Sequence, residues 1–213
     1  MPPPILERLA DTLIGAGLAW AFCFVLPSWE RRSLLRLSQQ LRIALARHAG
    51  NVLQWAPSPG VQLAQRLSRQ QAYAALAALA GVGQRTRAEP ERVRLPDAHI
   101  EALLSHAYRL MALLGAVQQL LTRRANRLEP AAAQEALQQA QLELLRQLDD
   151  LPSVIEPLPI DSDAADDWPE HRDDQSLTPW LQRRLRLCVR EAGWLKAAVQ
   201  RVRIDIERGP EAR

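Results

Sequence analysis

Histidine residues are the first candidates for chemistry in this chain, and their spacing argues against a metal or catalytic site. His99 and His106 are seven residues apart, so on a helix they share a face, but two turns separate them by about 10 Å. That distance is too long for one metal ion unless another element supplies ligands. His48 falls beside an apolar stripe, a position typical of a core or boundary histidine. We therefore expect no metal centre.

The cysteines and carboxylates also give no indication of a metal or catalytic site. Cys23 and Cys188 have no CxxC or Cys/His spacing and are expected to behave as small apolar residues. The aspartates at 161, 163, 166 and 167 lack the glycine and the terminal glutamate of a calcium-binding loop. HExxH, GxSxG and glycine-rich phosphate loops are absent from the sequence. The sequence predicts neither an enzyme nor a cofactor.

Composition restricts the partners. The 213 residues are 47% hydrophobic and carry a formal net charge of +3 that is spread along the chain. A dedicated nucleic-acid binder would usually concentrate its basic residues on one element. We therefore expect no nucleic acid partner.

The N-terminal segment is the strongest positional signal. Residues 12–29, TLIGAGLAWAFCFVLPSW, contain no charge and as a helix would be roughly 27 Å long, close to the thickness of a bilayer core. A cleaved signal peptide is not expected, because charged residues precede the segment and aromatic residues crowd its end. A buried core helix is the alternative. The sequence favours a transmembrane helix.

Charge after this segment predicts its orientation. Arg31, Arg32, Arg36, Arg42 and Arg47 follow it with only Glu30 in opposition, and such an excess of arginine is typical of the cytoplasmic side. Trp29 would place its indole in the headgroup layer. We expect Trp29, Arg31 and Arg32 to anchor the membrane interface and the C-terminal part of the chain to lie in the cytoplasm of a bacterial cell.

One face of the same helix carries little side-chain bulk. Small residues at four-residue spacing, Gly15 and Ala19 among them, allow close packing against other membrane helices. Arg8 and Asp11 share a face at the start of the helix and could be a hydrated pair or part of a substrate pathway. The predicted partners are the lipid bilayer, other transmembrane helices and a second copy of the chain.

Helical periodicity with Pro and Gly breaks extends over the remaining chain. The predicted fold is all-α: an N-terminal transmembrane helix (1–30), a cytoplasmic antiparallel bundle of long helices (31–151), an acidic Pro-rich linker (152–176) and a C-terminal helix packing on the bundle (177–213). Helices are expected over about 31–55, from 59 to Gly81–Gly83, from near 96 to about 127, from 130 to 151, and from Thr178 onward. The arginine-rich outer face of the last helix could contact anionic lipid or simply water.

Two stretches carry a family resemblance. RLADTLIGAGLAWAFCFVLPSWE at 8–30 looks like the last membrane helix of the FUSC (fusaric acid resistance) family of bacterial inner-membrane proteins. RLSRQQAYAALAALAGVGQRTRAEP at 66–90 and IEALLSHAYRLMALLGAVQQL at 100–120 are similar to the cytoplasmic helical region that follows that helix.

The resemblance implies an efflux transporter for small aromatic or organic acids. Family members carry two multi-helix membrane bundles, so it also implies that this chain is a C-terminal portion that cannot transport alone. Arg8, Asp11, Gly15 and Ala19 would be pathway or helix-packing positions. The alternative is a single-pass, membrane-tethered helical interaction protein unrelated to transport.

Overall fold

The computed structural model describes the backbone of residues 4–25, 27–55, 58–87, 96–149 and 176–208, and the side chains of these ranges apart from 4–7, 22–25 and 27–32. Within them lie six α-helices, a short 3₁₀ turn at Ala125–Arg127 and no strand, which confirms the all-α prediction. The helices are α1 Pro4–Val25, α2 Pro27–Val52, α3 Pro59–Arg87, α4 Asp97–Arg123, α5 Pro130–Leu148 and α6 Thr178–Arg208.

Proline marks the start of several helices. Pro27, Pro59 and Pro130 are the first residues of α2, α3 and α5, where the fixed φ suits a helix and the missing N–H is not needed. The helix predicted from about Arg31 therefore starts four residues earlier, at Pro27, and ends at Val52, before the predicted Trp55.

The five helices from α2 through α6 share one hydrophobic core. Helix α6 packs along α4 and α5, while α2 packs along α3 and also touches α4, α5 and α6. In four of these helices, apolar residues at three- and four-residue spacing predict the face that packs in the core. These residues are buried: Leu34, Leu41, Leu45 and Val52 in α2; Ile100, Leu103, Ala107, Leu110, Leu114, Val117 and Leu121 in α4; Leu137, Ala140, Leu144 and Leu148 in α5; and Leu181, Leu185, Cys188, Ala192, Leu195, Val199 and Val202 in α6. Ile206 packs against this core from its edge.

Apolar spacing predicts that Leu63, Leu67, Leu76 and Leu79 supply the core contacts of α3, and this prediction was partly wrong. Leu76 and Leu79 are buried, but Leu63 is 59% exposed and Leu67 is 51% exposed. Gln65, Ser68 and Ala72 face the interior instead. Polar groups are tolerated there because neighbouring helices accept or donate their hydrogen bonds.

Helix α3 also continues past the glycines that were expected to end it. It runs through Gly81 and Gly83 to Arg87. A Cβ atom at Gly83 would lie 2.9 Å from Cγ2 of Ile100 in α4, so this glycine permits close approach of two helices rather than ending one.

The pair Thr178 and Pro179 predicts that Thr178 caps the last helix with Pro179 in its first turn, but the observed start of α6 differs. Thr178 is the first helical residue, and the N–H of Thr178 donates to Oγ of Ser176 at 3.3 Å. The Thr178 hydroxyl instead accepts a hydrogen bond from the N–H of Glu129 at 3.0 Å. Thr178 thus joins the beginning of α6 to the beginning of α5. Leu151 and the predicted linker, apart from Ser176, lie outside the described residues.

Among the described side chains, α4 is the helix whose length and composition would allow a membrane crossing. Its apolar stripe is buried inside the bundle, and the core helix of a water-soluble bundle has the same composition. The side chains described for α1, residues 8–21, would cover only about 21 Å as a helix.

Candidate functional site

Helix α1 presents apolar side chains to its surroundings. Every residue from 8 to 21 is exposed, with Leu13 at 65% and Trp20 at 69%. Leu9, Ile14 and Leu18 are also more than half exposed. A soluble domain seldom leaves so many large apolar residues together outside its core, and such a surface indicates a lipid or protein partner.

The predicted pathway or packing positions lie along one side of this helix. Arg8, Asp11, Gly15 and Ala19 are all exposed, and a Cβ at Gly15 would meet nothing within 4 Å. Arg8 and Asp11 form no ion pair with each other in the described part of the chain. The hydroxyl of Thr12 donates to the backbone oxygen of Arg8 at 2.8 Å, so that polar group is satisfied within the helix.

The predicted interface anchors are in the first turns of α2. Trp29, Arg31 and Arg32 belong to the described backbone, but their side chains lie outside the described residues, and their function as anchors stays a prediction. Arg42, from the same arginine-rich stretch, is buried. Its Nε and Nη2 donate to the backbone oxygen of Leu148 at 3.1 and 2.8 Å. Arg42 therefore satisfies a carbonyl at the C-terminus of α5.

His99 and His106 join α4 to α6. Nδ1 of His106 lies 2.8 Å from Oε2 of the buried Glu191, and the ring packs 5.4 Å from Trp194. Nδ1 of His99 contacts Oδ2 of Asp205. The shared face was predicted correctly, and each histidine contacts its own carboxylate. No group of three or more metal ligands occurs among the described residues.

His48 is buried between α2 and α3. Its Nδ1 lies 3.1 Å from Oγ of Ser68, as expected for a satisfied core histidine. Burial, reinforced by the charge of Arg69, lowers the pKa of His48 to about 4. The imidazole is therefore neutral at physiological pH.

A cleft of about 910 Å³ lies where α3, α4 and the start of α6 meet. Four arginines and two aromatic residues line it: Arg66, Arg69, Arg123, Arg124, Tyr73 and Trp180. None of the described residues along its wall is acidic. We call this surface the basic cleft. None of its four arginines makes an ion pair with another described residue.

Hydrogen bonds hold the two walls of the basic cleft in register. Nε2 of Gln118 in α4 donates to Oε1 of Gln65 in α3 at 2.8 Å. Nε2 of Gln65 in turn donates to the backbone oxygen of Asn51 at 2.8 Å. Because Gln65 is buried, these bonds fix the distance between the walls.

The sequence contained a signal for this cleft that was interpreted differently. From the sequence alone, Arg123 and Arg124 are explained as cations that complement a helix C-terminus, and Arg66 and Arg69 belong to no motif. Arg66, Arg69 and Tyr73 follow a spacing of three and four residues, which places them on one face of α3. Ala112, Gly115 and Ala116 form the facing wall of α4, where small side chains leave room for the cleft.

The fold thus combines a helical bundle with a helix, α1, whose apolar side chains are exposed over the described residues 8–21. Over 87 residues the chain is 34% identical to the "Inner membrane protein YccS" of Escherichia coli (strain K12). The match covers 40% of this chain and 12% of the relative, so the chain spans a small part of that protein's length. No family model matches the sequence, and no solved structure matches it.

Proposed function

We propose that this chain is a membrane component of a FUSC-like exporter of small aromatic or organic acids, with α1 in the bacterial inner membrane and the bundle in the cytoplasm. The observation that carries the proposal is the exposure of the apolar side chains of α1. The partial similarity to an inner membrane protein supports it.

The free energy of transfer from water to lipid favours insertion of α1 into a membrane. Burying a large apolar side chain contributes about 1.5–3 kcal/mol. Five such side chains of α1 are more than half exposed, so inserting them into hydrocarbon would yield on the order of 10 kcal/mol. The backbone of α1 is hydrogen-bonded within the helix, as lipid requires.

Export requires more than this helix. One helix cannot enclose a pathway, so the proposal includes partner helices, from other subunits or from a second copy of the chain. Gly15 and Ala19 would let a partner helix approach closely. Arg8 and Asp11 would lie at the end of the pathway, where charged groups can remain hydrated.

Glutamate substitution in α1 tests the membrane assignment. Leu13→Glu together with Leu18→Glu replaces exposed residues, so it leaves the bundle intact. Charges in the middle of a lipid-facing helix oppose insertion by several kcal/mol. We expect the wild type to stay in carbonate-washed bacterial membranes and the double variant to be released.

The matched control places the same charges on exposed leucines of the bundle. Leu63→Glu together with Leu142→Glu should leave the protein in the membrane fraction, since both residues are exposed on α3 and α5. Release of the wild-type protein by carbonate would refute the proposal.

A growth assay tests export. Disrupting the gene should lower the concentration of benzoic acid that stops growth by about twofold or more, and the wild-type gene should restore it. The α1 double variant should not. Equal sensitivity of disrupted and complemented strains would favour the alternative, a membrane-tethered interaction protein.

A further inference from the structure

We propose that the basic cleft binds a soluble, multiply charged phosphate compound. This inference does not depend on the export activity, because the cleft is built only from residues of the bundle. It concerns a ligand of α3, α4 and α6 rather than a substrate in the membrane.

The charge of the cleft selects an anion. Arg66 and Arg69 come from α3, while Arg123 and Arg124 come from the end of α4. Two exposed arginines elsewhere in the bundle contact carboxylates, Arg87 with Glu101 and Arg146 with Glu143. The cleft arginines make no ion pair with a described residue, so their donors are available to a ligand.

Cation–π contacts with aromatic rings position one arginine in the cleft and one beside it. The guanidinium of Arg69 lies 5.8 Å from the centre of the Tyr73 ring, and that of Arg184 lies 4.7 Å from the centre of the Trp180 ring. Such contacts restrict the side chain while leaving its edge free to donate hydrogen bonds. The planar donor fork of arginine matches the geometry of phosphate oxygens.

The positive charge of the cleft does not come from histidine. His48 also lines the cleft, but burial lowers its pKa to about 4, so it is neutral. The charge is therefore carried by the guanidinium groups of the four arginines.

The size of the cleft favours a ligand that spans both walls. Its volume of about 910 Å³ falls in the range of small-molecule sites and far exceeds one phosphate ion. A compound with two or more phosphates could contact the arginine pair of α3 and that of α4 together. A single phosphate could satisfy only one pair.

The position of the cleft favours a soluble ligand over a lipid headgroup. Along α2, His48 lies 21 residues after Pro27, which is about 32 Å at the helical rise. The cleft is thus far from the junction of α2 with α1. Headgroup phosphates share the same chemistry, and the experiment below separates the two sources.

Calorimetric titration of the full-length chain in neutral detergent tests the proposal. The probes are inorganic phosphate, pyrophosphate and tripolyphosphate at low ionic strength. We expect saturable binding of tripolyphosphate with one site per chain and at least tenfold weaker binding of inorganic phosphate. No binding of tripolyphosphate, or equal affinity for both, would overturn the proposal.

Two variants separate a site from general charge attraction. Arg66→Ala with Arg124→Ala should weaken tripolyphosphate binding by tenfold or more. Arg36→Ala with Arg109→Ala removes the same charge outside the cleft and should change the affinity by less than twofold. Gly115→Leu fills the cleft without altering charge, and a Cβ at Gly115 meets nothing within 4 Å, so it should fold and also weaken binding. Equal losses in the two double variants would contradict the assignment.

Nanodiscs identify the source of the phosphate. The chain is inserted into discs of phosphatidylcholine with or without phosphatidylglycerol, and tripolyphosphate is titrated again. We expect the same affinity in both. A loss of tenfold or more with phosphatidylglycerol at about 0.15 M salt, where long-range repulsion by the disc is screened, would show that lipid headgroups occupy the cleft, and the soluble-ligand proposal would fail.

Discussion

Arg36 and Arg42 lie on the same helix in opposite surroundings. Arg36 is exposed, whereas Arg42 is only 5% exposed and donates twice to the backbone oxygen of Leu148. The sequence alone assigns both to the arginine-rich stretch that follows the predicted transmembrane helix. Side-chain chemistry alone could not distinguish them, because the partner of Arg42 is 106 residues away along the chain.

Arg42→Ala should destabilise the bundle by about 2–3 kcal/mol, because it leaves a buried carbonyl without its charged donor. Thermal unfolding of the detergent-solubilised protein, followed by circular dichroism, measures this loss. Arg36→Ala is the control and should change stability by less than about 0.5 kcal/mol. Equal effects of the two substitutions would contradict the function assigned to Arg42.

The buried imidazole of His48 should make stability depend on pH. Its pKa is about 4 in the folded chain against an ordinary 6.5, so the folded state favours the neutral form. The stabilisation is complete above pH 6.5 and is lost as the pH falls from 6.5 towards 4. We expect His48 to account for a loss of up to about 2 kcal/mol between pH 7 and pH 5.

Denaturant titrations of the wild type and His48→Gln at both pH values test this prediction. Glutamine can keep a hydrogen bond to Ser68 but does not titrate. The stability difference between wild type and variant should shrink at pH 5. A difference that does not change with pH would show that protonation of His48 does not affect folding.

At the scale of helices, apolar periodicity predicted α4, α5 and α6 well. Their core faces are nearly continuous Leu, Ala, Val and Ile, so local pattern and tertiary packing agree. The prediction of the core face of α3 failed because its interior face holds Gln65 and Ser68. Their burial depends on partners in α2 and α4, which no local pattern contains. The basic cleft was missed because its arginines come from α3 and from the end of α4, and no local pattern shows that these two sets lie together.

Two glycines give a matched test of how α3 packs on α4. A Cβ at Gly83 would lie 2.9 Å from the buried Ile100, whereas one at Gly115 would meet nothing within 4 Å. Gly115→Ala should stabilise the protein by up to about 1 kcal/mol through helix propensity. Gly83→Ala should destabilise it by about 1 kcal/mol, because overpacking outweighs the same gain. Thermal unfolding that ranks the two variants the other way would contradict this packing.

At the scale of the whole molecule, the bundle has a buried apolar core, whereas the described apolar side chains of α1 are exposed. Helices α2 to α6 bury their apolar stripes against one another, while the side chains described for α1 remain outside this core. The sequence predicted both features, because an uncharged run and amphipathic periodicity are local properties. Assembly with partner helices depends on other chains, so it stays a proposal.

The two cysteines allow a direct test of where α1 resides. Cys188 is fully buried, and burial raises the pKa of its thiol to about 12, so it should not react with maleimides in the folded protein. Labelling of the wild-type chain then reports on position 23 in α1 alone. Cys23→Ser with Gln62→Cys supplies a water-exposed reference thiol on α3.

The decisive measurement is the rate of maleimide labelling of the wild type in native membranes, compared with that reference variant. A thiol within lipid forms little thiolate and reacts slowly, so the wild-type rate should be about a tenth of the reference rate or less. Equal rates would place position 23 in water and contradict the membrane assignment of α1.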